Sequence, residues 1–205
     1  SHIAFYNLEI SREFFGDYEV DGAESILVFV EDFYKILKSA SKDDILYLES
    51  NDYYLICTFE DGGNRRVFEL PLADNSMESA VPASIEYDGV FDVELVDLKQ
   101  SCNDLDKIVK TDRFKVITDD NRMTVVAPND SMVRYNQVIN IDSDSKCNVI
   151  VNIQYINEIL KLFRISKIAT LKIGDNLPMS WSVESGDELV KVSGLIAPII
   201  EEDDG

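Results

Sequence analysis

The residues from which catalytic and metal sites are usually built are scarce in this sequence. There is one histidine, His2, and there are three cysteines, Cys57, Cys102 and Cys147. No C-x-x-C, G-x-S-x-G, P-loop or G-x-G-x-x-G pattern occurs. His2 has no cysteine or carboxylate at metal-ligand spacing, which argues against a conventional triad or zinc site, so no catalytic, metal or cofactor residue is assigned. An odd number of cysteines, widely spaced among core-type residues, argues against a disulfide framework and for a reducing, intracellular compartment. No run of about 18 apolar residues exists, nor a basic stretch leading into an apolar one, so neither a membrane span nor a signal peptide is read here. Positive charge is scarce too: 19 Lys and Arg stand against 39 Asp and Glu, a net charge of −20. Most of such a surface repels nucleic acid and anionic lipid within a Debye length, roughly 8–10 Å. A nucleic-acid role would need its cations gathered in one place.

What is present is enough apolar residue for a core. With 45% hydrophobic residues in 205, the charge is no sign of disorder, and one large or two small domains are expected. Short β-type runs dominate: 3–10, 26–30, 45–50, 53–60 and 65–72, then 91–96, 113–118, 122–128, 132–140, 148–153, 169–173, 178–183 and 189–199. Turn formers such as Asp-Gly-Gly and Asp-Asp-Asn sit between many of them, which predicts antiparallel meanders. Three helices are expected. Over about 31–40, Phe33, Ile36, Leu37 and Ala40 recur on one face with Lys35 and Lys38 opposite; over about 153–164, Ile153, Ile156, Ile159, Leu160 and Phe163 do so with Lys161 and Arg164 turned away. A weaker helix over about 95–107 turns Leu98, Cys102 and Leu105 inward and Lys99, Asn103 and Lys107 outward, its outer face diluted by Asp97, Asp104 and Asp106.

Aligning Ile36-Leu37-Lys38 on Ile159-Leu160-Lys161 brings the following strands into register, an internal repeat of helix plus hairpin too sparse for a solenoid. Two similar α+β domains fit, 1–70 and 83–205, joined by an extended linker at 71–82 between Pro71 and Pro82. Cations opposite an apolar stripe are what any exposed amphipathic helix shows, but their recurrence in both copies, in a chain so short of cations, points to one shared basic surface. The acidic groups Asp119-Asp120, Asp142-Ser143-Asp144 and Glu201 to Asp204 offer magnesium ligands for a nuclease in principle. Their place in loops and at the terminus, without EF-hand spacing, reads better as solvated turns and an acidic tail.

The segments SHIAFYNLEI, YKILK, FELPL, NLPM and LIAPIIEE occur in an order that resembles proliferating cell nuclear antigen, the archaeal and eukaryotic DNA polymerase sliding clamp, across essentially all 205 residues. The resemblance implies a DNA clamp fold of antiparallel sheets with helices on one face. It also implies a non-enzymatic processivity factor, a homotrimer or heterotrimer closed head to tail around duplex DNA, with no cofactor and no membrane. Family subunits begin with a strand, a helix and further strands ahead of SHIAFYNLEI, so the first domain is expected to be incomplete. Specialised or checkpoint-type subunits of a heterotrimer share the same fold.

Site residues follow from the resemblance. Lys35, Lys38 and Lys161 match channel positions facing DNA phosphates without sequence preference, with Lys99, Lys107 and Arg164 nearby, while Gln100 and Asn103 stand where the family is usually basic. His2, Ile3, Phe5, Val81, Pro178, Leu195, Ala197 and Pro198 match the groove that takes a short aromatic peptide from DNA polymerase, clamp loader, flap nuclease or ligase. Arg65, Phe68 and Leu70 on one sheet edge, and Val133 and Tyr135 near another, match the subunit seam. The location implied is archaeal cytoplasm or eukaryotic nucleus.

Overall fold

The computed structural model describes residues 4–20, 25–73 and 84–200. In chain order the elements are β1 (Ala4–Ile10), α1 (Val30–Lys38), β2 (Ile45–Ser50), β3 (Tyr54–Asp61), β4 (Asn64–Pro71), β5 (Gly89–Glu94) and α2 (Leu95–Asp104). There follow β6 (Arg113–Asp119), β7 (Arg122–Val126), β8 (Asn136–Asn140), β9 (Cys147–Asn152), α3 (Ile153–Leu160), β10 (Ile168–Ile173), β11 (Met179–Glu184) and β12 (Val190–Ile196). They fall into two compact units, one holding the residues up to Tyr18 and from Ser84 onward, the other the residues between. The expected first domain, 1–70, includes β1; in the structure that strand pairs along its whole length with β12. Most of the expected linker lies outside the described residues.

In the larger unit two antiparallel sheets, ordered β1-β12-β11-β10-β5 and β8-β7-β6-β9, close on one core. Alternation sends Phe91, Leu171, Trp181 and Val183 inward from the first sheet and Phe114, Val116, Met123, Val125, Val149 and Val151 from the second. Leu98, Cys102 and Leu105, and Ile156 and Ile159, enter the same core from α2 and α3. The β6–β7 hairpin turns through Asp120 and Asn121, both at positive φ, the pattern of a two-residue turn whose twist suits the flanking strands.

The smaller unit is a three-stranded sheet, β2-β3-β4, carrying α1. Its core is Leu55, Cys57, Phe59 and Leu70, with Phe33, Ile36 and Phe68 packed partly against it. Arg66 fastens the helix end to the sheet: its guanidinium donates to the Ser39 carbonyl at 3.1 Å, pairs with Asp44 and lies over the Phe59 ring. All six residues of β2 are exposed.

Some expected elements differ. The run at 26–30 is not a strand. Residues 26–29 stay outside any ladder, with the Leu27 carbonyl accepting from Ala73 N–H at 2.7 Å, and Val30 already opens α1. Within 132–140 only Asn136–Asn140 pairs, because a turn at Pro128–Ser131 delays the strand. Phe163 was expected in the core but is 39% exposed, and Leu162 packs there instead. The reason is periodicity: Lys161–Arg164 tightens to a 3₁₀ turn, and three residues per turn in place of 3.6 shifts which side chain faces inward.

Gly194 marks a close backbone approach in the five-stranded sheet. A Cβ there would lie 2.5 Å from the Phe5 carbonyl oxygen and 2.8 Å from the Trp181 ring, while Tyr6 stacks edge-on against that ring at 5.8 Å. The nearest obstacle is backbone and cannot swing aside. Gly194→Ala is therefore expected to destabilise the unit by about 1–3 kcal/mol, read as a lower urea midpoint, and to loosen β1 first, as amide exchange would report.

Candidate functional site

The six basic residues picked out above lie on the outer surfaces of the helices. In α1, Glu31 and Asp32 occupy the first turn and Lys35 and Lys38 the last, the arrangement the helix dipole favours. Lys35 Nζ stands 3.0 Å from Glu31 Oε1 and 3.1 Å from Asp32 Oδ1. These two partners raise its pKa above the usual lysine value. Lys38 lies over the Tyr34 ring at 5.8 Å.

In the larger unit, α3 starts at Asn152, whose side chain accepts from Gln154 N–H at 2.9 Å. Just past the other end of the helix, Lys161 Nζ sits 2.6 and 2.5 Å from the two oxygens of Glu158. Arg164 is exposed beyond it. α2 packs against α3 and continues as one π-helical turn, Leu105–Val109, that ends on Lys110 at positive φ. Lys99 and Lys107 project into solvent from this stretch, and Gln100 donates to Asp104 at 2.9 Å. Cys102 beneath it is buried, which with the nearby Asp106 charge pushes its thiol up to about 12; Cys57 and Cys147 are buried as well, so none of the three is an accessible nucleophile.

The candidate groove is built on the outer face of the five-stranded sheet. Phe5 stands opposite Leu195, and Leu195 opposite Ser180, so the three form a row on the face away from Trp181. Met179 pairs with Ile196, which sets the preceding Pro178 alongside Ala197. The chain then leaves the sheet: Pro198 has no donor to offer, and Ile199 N–H donates instead to the Ile150 carbonyl at 2.7 Å on β9. That bond pins the tail across both sheets of the unit and leaves Leu195, Ala197 and Pro198 half-buried. His2, Ile3 and Val81 lie outside the described residues. Two further contributors carry no clear signal in the sequence. Ile199 closes the apolar run at 189–199, which gives no sign of this anchoring. Tyr87 has a buried hydroxyl that approaches Ser180 without reaching hydrogen-bonding geometry, and burial raises its pKa; a lone tyrosine in SIEYDGV gives no signal of this.

Of the residues matched to the seam, Arg65, Phe68 and Leu70 sit on β4, while Val133 and Tyr135 precede β8. Among the described residues β4 pairs only with β3, and β8 only with β7, so each has one open edge. Arg65 is exposed on β4 and 3.4 Å from Glu60. Phe68 and Leu70 point to the unit's own core, Phe68 meeting the Phe59 ring edge-on at 5.9 Å; Val67, on the other face, is the exposed apolar residue. Val133 is exposed ahead of β8, and Tyr135 donates to Gln137 at 2.8 Å. On β8 itself Val138 is 54% exposed. The repeat gives these edges meaning: β12 occupies in its copy the place of β4, and β12 finds a seven-residue antiparallel partner in β1, while β4 has none within the described residues.

The acidic loops have no comparable geometry. Among the described residues no three His, Cys, Asp or Glu side chains are grouped to hold a metal ion. Asp119 is engaged by Lys146 at 3.0 Å, and Asp142 and Asp144 are exposed.

Comparison with known proteins agrees along nearly the whole chain. No family model matches the sequence. It is 31% identical over 204 residues to the DNA polymerase sliding clamp of Methanothermobacter thermautotrophicus, covering 98% of this chain and 82% of that protein. Its fold is similar to that of PCNA from Thermococcus kodakaraensis, with a TM-score of 0.78 and 21% identity over 96% of this chain and 82% of that one. It is also similar to a chain of the PCNA2–PCNA3 complex from Sulfolobus tokodaii, with a TM-score of 0.77 and 20% identity over 97% and 82%.

Proposed function

The chain belongs to the DNA polymerase sliding clamp family, and from that premise we propose that it is a non-enzymatic processivity factor, a ring subunit that tethers DNA polymerase and other replication and repair proteins to duplex DNA. The observation that carries the reading is the chain-long likeness, in sequence to a sliding clamp and in fold to PCNA. A tether of this kind touches phosphates and not base edges, so it holds the duplex without choosing a sequence. In this reading α1, α2 and α3 face the duplex. A net charge of −20 spread over the remaining surface keeps DNA from binding anywhere else.

Assembly follows from the edges. We take the β1–β12 ladder as the pattern for the joint between chains, with β4 of one subunit adding to β8 of the next; closing the ring then leaves no such edge open. Partner proteins dock in the groove of Phe5, Pro178, Leu195, Ala197 and Pro198, to which His2, Ile3 and Val81 contribute. Polymerase, clamp loader, flap nuclease and ligase are the expected partners, through a short peptide with adjacent aromatics. The place of work is with the genome, in archaeal cytoplasm or a eukaryotic nucleus. A metal-dependent nuclease built on the acidic loops is not favoured, nor is a checkpoint-type subunit.

Light scattering tests the assembly. The chain alone, or mixed with sister subunits from the same cell, is expected to give a particle of three chains; a monomer under every such condition would overturn the ring.

A further inference from the structure

Two of the lysines assigned to the duplex are not free to meet it. Lys161 is held by both oxygens of Glu158 at 2.5–2.6 Å, and Lys35 by Glu31 and Asp32 at 3.0 and 3.1 Å. Both are local pairs at i, i+3 or i, i+4 spacing, and every member is substantially exposed, so a phosphate approaching the lysine reaches the carboxylate as well. By contrast Lys99, Lys107 and Arg164 have no ion-pair partner among the described residues. The repeat sharpens the point. When Lys38 is laid on Lys161, Lys35 falls on Glu158: one copy of the helix carries a cation where the other carries an acid, and that acid captures the neighbouring cation.

We infer that Glu158, with Glu31 and Asp32 in the other copy, is a built-in competitor for DNA phosphate that sets how loosely the clamp holds the duplex. The inference rests on the reading that these helices face DNA. A phosphate that recruits Lys161 must displace Glu158 and then tolerate its charge one helical turn away. The counterion release that normally accompanies a lysine–phosphate contact is reduced, since the lysine is already neutralised before the duplex arrives. The consequence is a weak hold with a shallow salt dependence, suited to a ring that must move along its substrate.

The test uses the full chain, assembled with sister subunits if it requires them, and a fluorescent duplex titrated across a potassium chloride series. Glu158→Gln, and separately Glu31→Gln with Asp32→Asn, are expected to tighten binding by up to about fivefold for each ion pair released, and to steepen the slope of log affinity against log salt by about 0.9 per lysine freed. The triple variant Lys35→Ala, Lys38→Ala and Lys161→Ala is expected to weaken binding and flatten the slope. If the lysine variant weakens binding but the glutamine and asparagine variants change neither affinity nor slope, the competitor role is overturned and the DNA face stands. If no variant changes anything, the helices are not the DNA face and both ideas fall. Glu184→Gln, on an exposed strand end far in sequence from these helices, measures the effect of net charge alone; a rise as large as that of Glu158→Gln would also overturn the inference.

Discussion

Val138→Asp is expected to leave the single chain folded and to take its assembly apart. Val138 is more than half exposed on the open edge of β8, so within one chain the substitution replaces an exposed apolar group with a solvated carboxylate. In the proposed joint, where β8 pairs with β4 of a neighbour, the same carboxylate would be enclosed without a partner. That costs on the order of several kcal/mol per interface, and a closed ring repeats the cost at every joint. Phe68→Asp is expected to dissociate the assembly too, but for a mixed reason. Because Phe68 already packs against Phe59, its loss also erodes the small core of Leu55, Cys57, Phe59 and Leu70. The pair is therefore diagnostic. Light scattering should show small species for both variants, with the melting temperature of the smaller unit falling for Phe68→Asp alone. An intact oligomer with Val138→Asp would place the joint elsewhere.

The second large effect concerns the partner groove. A peptide carrying a glutamine, an aliphatic residue and two adjacent aromatics is expected to bind along Phe5, Pro178, Leu195 and Pro198, since apolar anchors seated in a preformed pocket concentrate binding energy. Leu195 is central: it lies between Phe5 and Ser180 on one face, and next to it Ile196 is locked in the core. Leu195→Ala should cost about 2 kcal/mol or more, roughly thirtyfold in affinity, and Leu195→Asp or Val81→Asp should abolish binding. Removing Glu201 to Gly205 should reduce only a salt-dependent contribution to basic residues flanking the motif. Calorimetry decides the matter; undiminished binding to Leu195→Asp would show that the groove is not the docking site.

Much of the scaffold was legible because it rests on local patterning. Strands with clear alternation and a turn former at each end, such as Arg113–Asp119 and Arg122–Val126 around Asp120-Asn121, appear where the sequence puts them. So do the inward faces of Leu98, Cys102 and Leu105 and of Ile153, Ile156 and Ile159, since helical spacing alone decides which side chains share a face. What was not legible depends on distant partners or on small changes of helix phase. The run at 26–30 has the composition of a strand, but among the described residues no neighbour completes a ladder with it. Phe163 has the right spacing for an α-helix and loses its place when the last turn tightens to 3₁₀. The pairing of β1 with β12 runs from Ala4 with Ile196 to Ile10 with Val190, the two ends of the described chain, and no local pattern encodes it.

The candidate site was legible to a lesser degree and for a different reason. Charge opposite an apolar stripe located Lys35, Lys38 and Lys161, but composition cannot say which cations are already spoken for. The Glu158–Lys161 and Glu31–Lys35 pairs depend on how the side chains turn, which residue spacing alone does not fix. Likewise the anchoring of Ile199 on Ile150 is a tertiary contact. The resemblance implies a seam residue at Phe68, on β4. Which of its two faces each residue of that strand presents, Phe68 and Leu70 inward and Val67 outward, is fixed by register with β3, and a one-residue slip would exchange them.

The central claim is that this chain forms a ring that encircles DNA, and a topological measurement tests it most directly. The labelled protein, loaded onto a nicked circular plasmid with or without a clamp loader, is washed at a salt concentration that removes ordinary electrostatic binding, and the plasmid is then cut once. A ring held by linkage alone stays on the circle through the wash and is lost when the cut provides an end to slide from. Loss from the intact circle at the same rate as from linear DNA, or retention after the cut, would contradict the account.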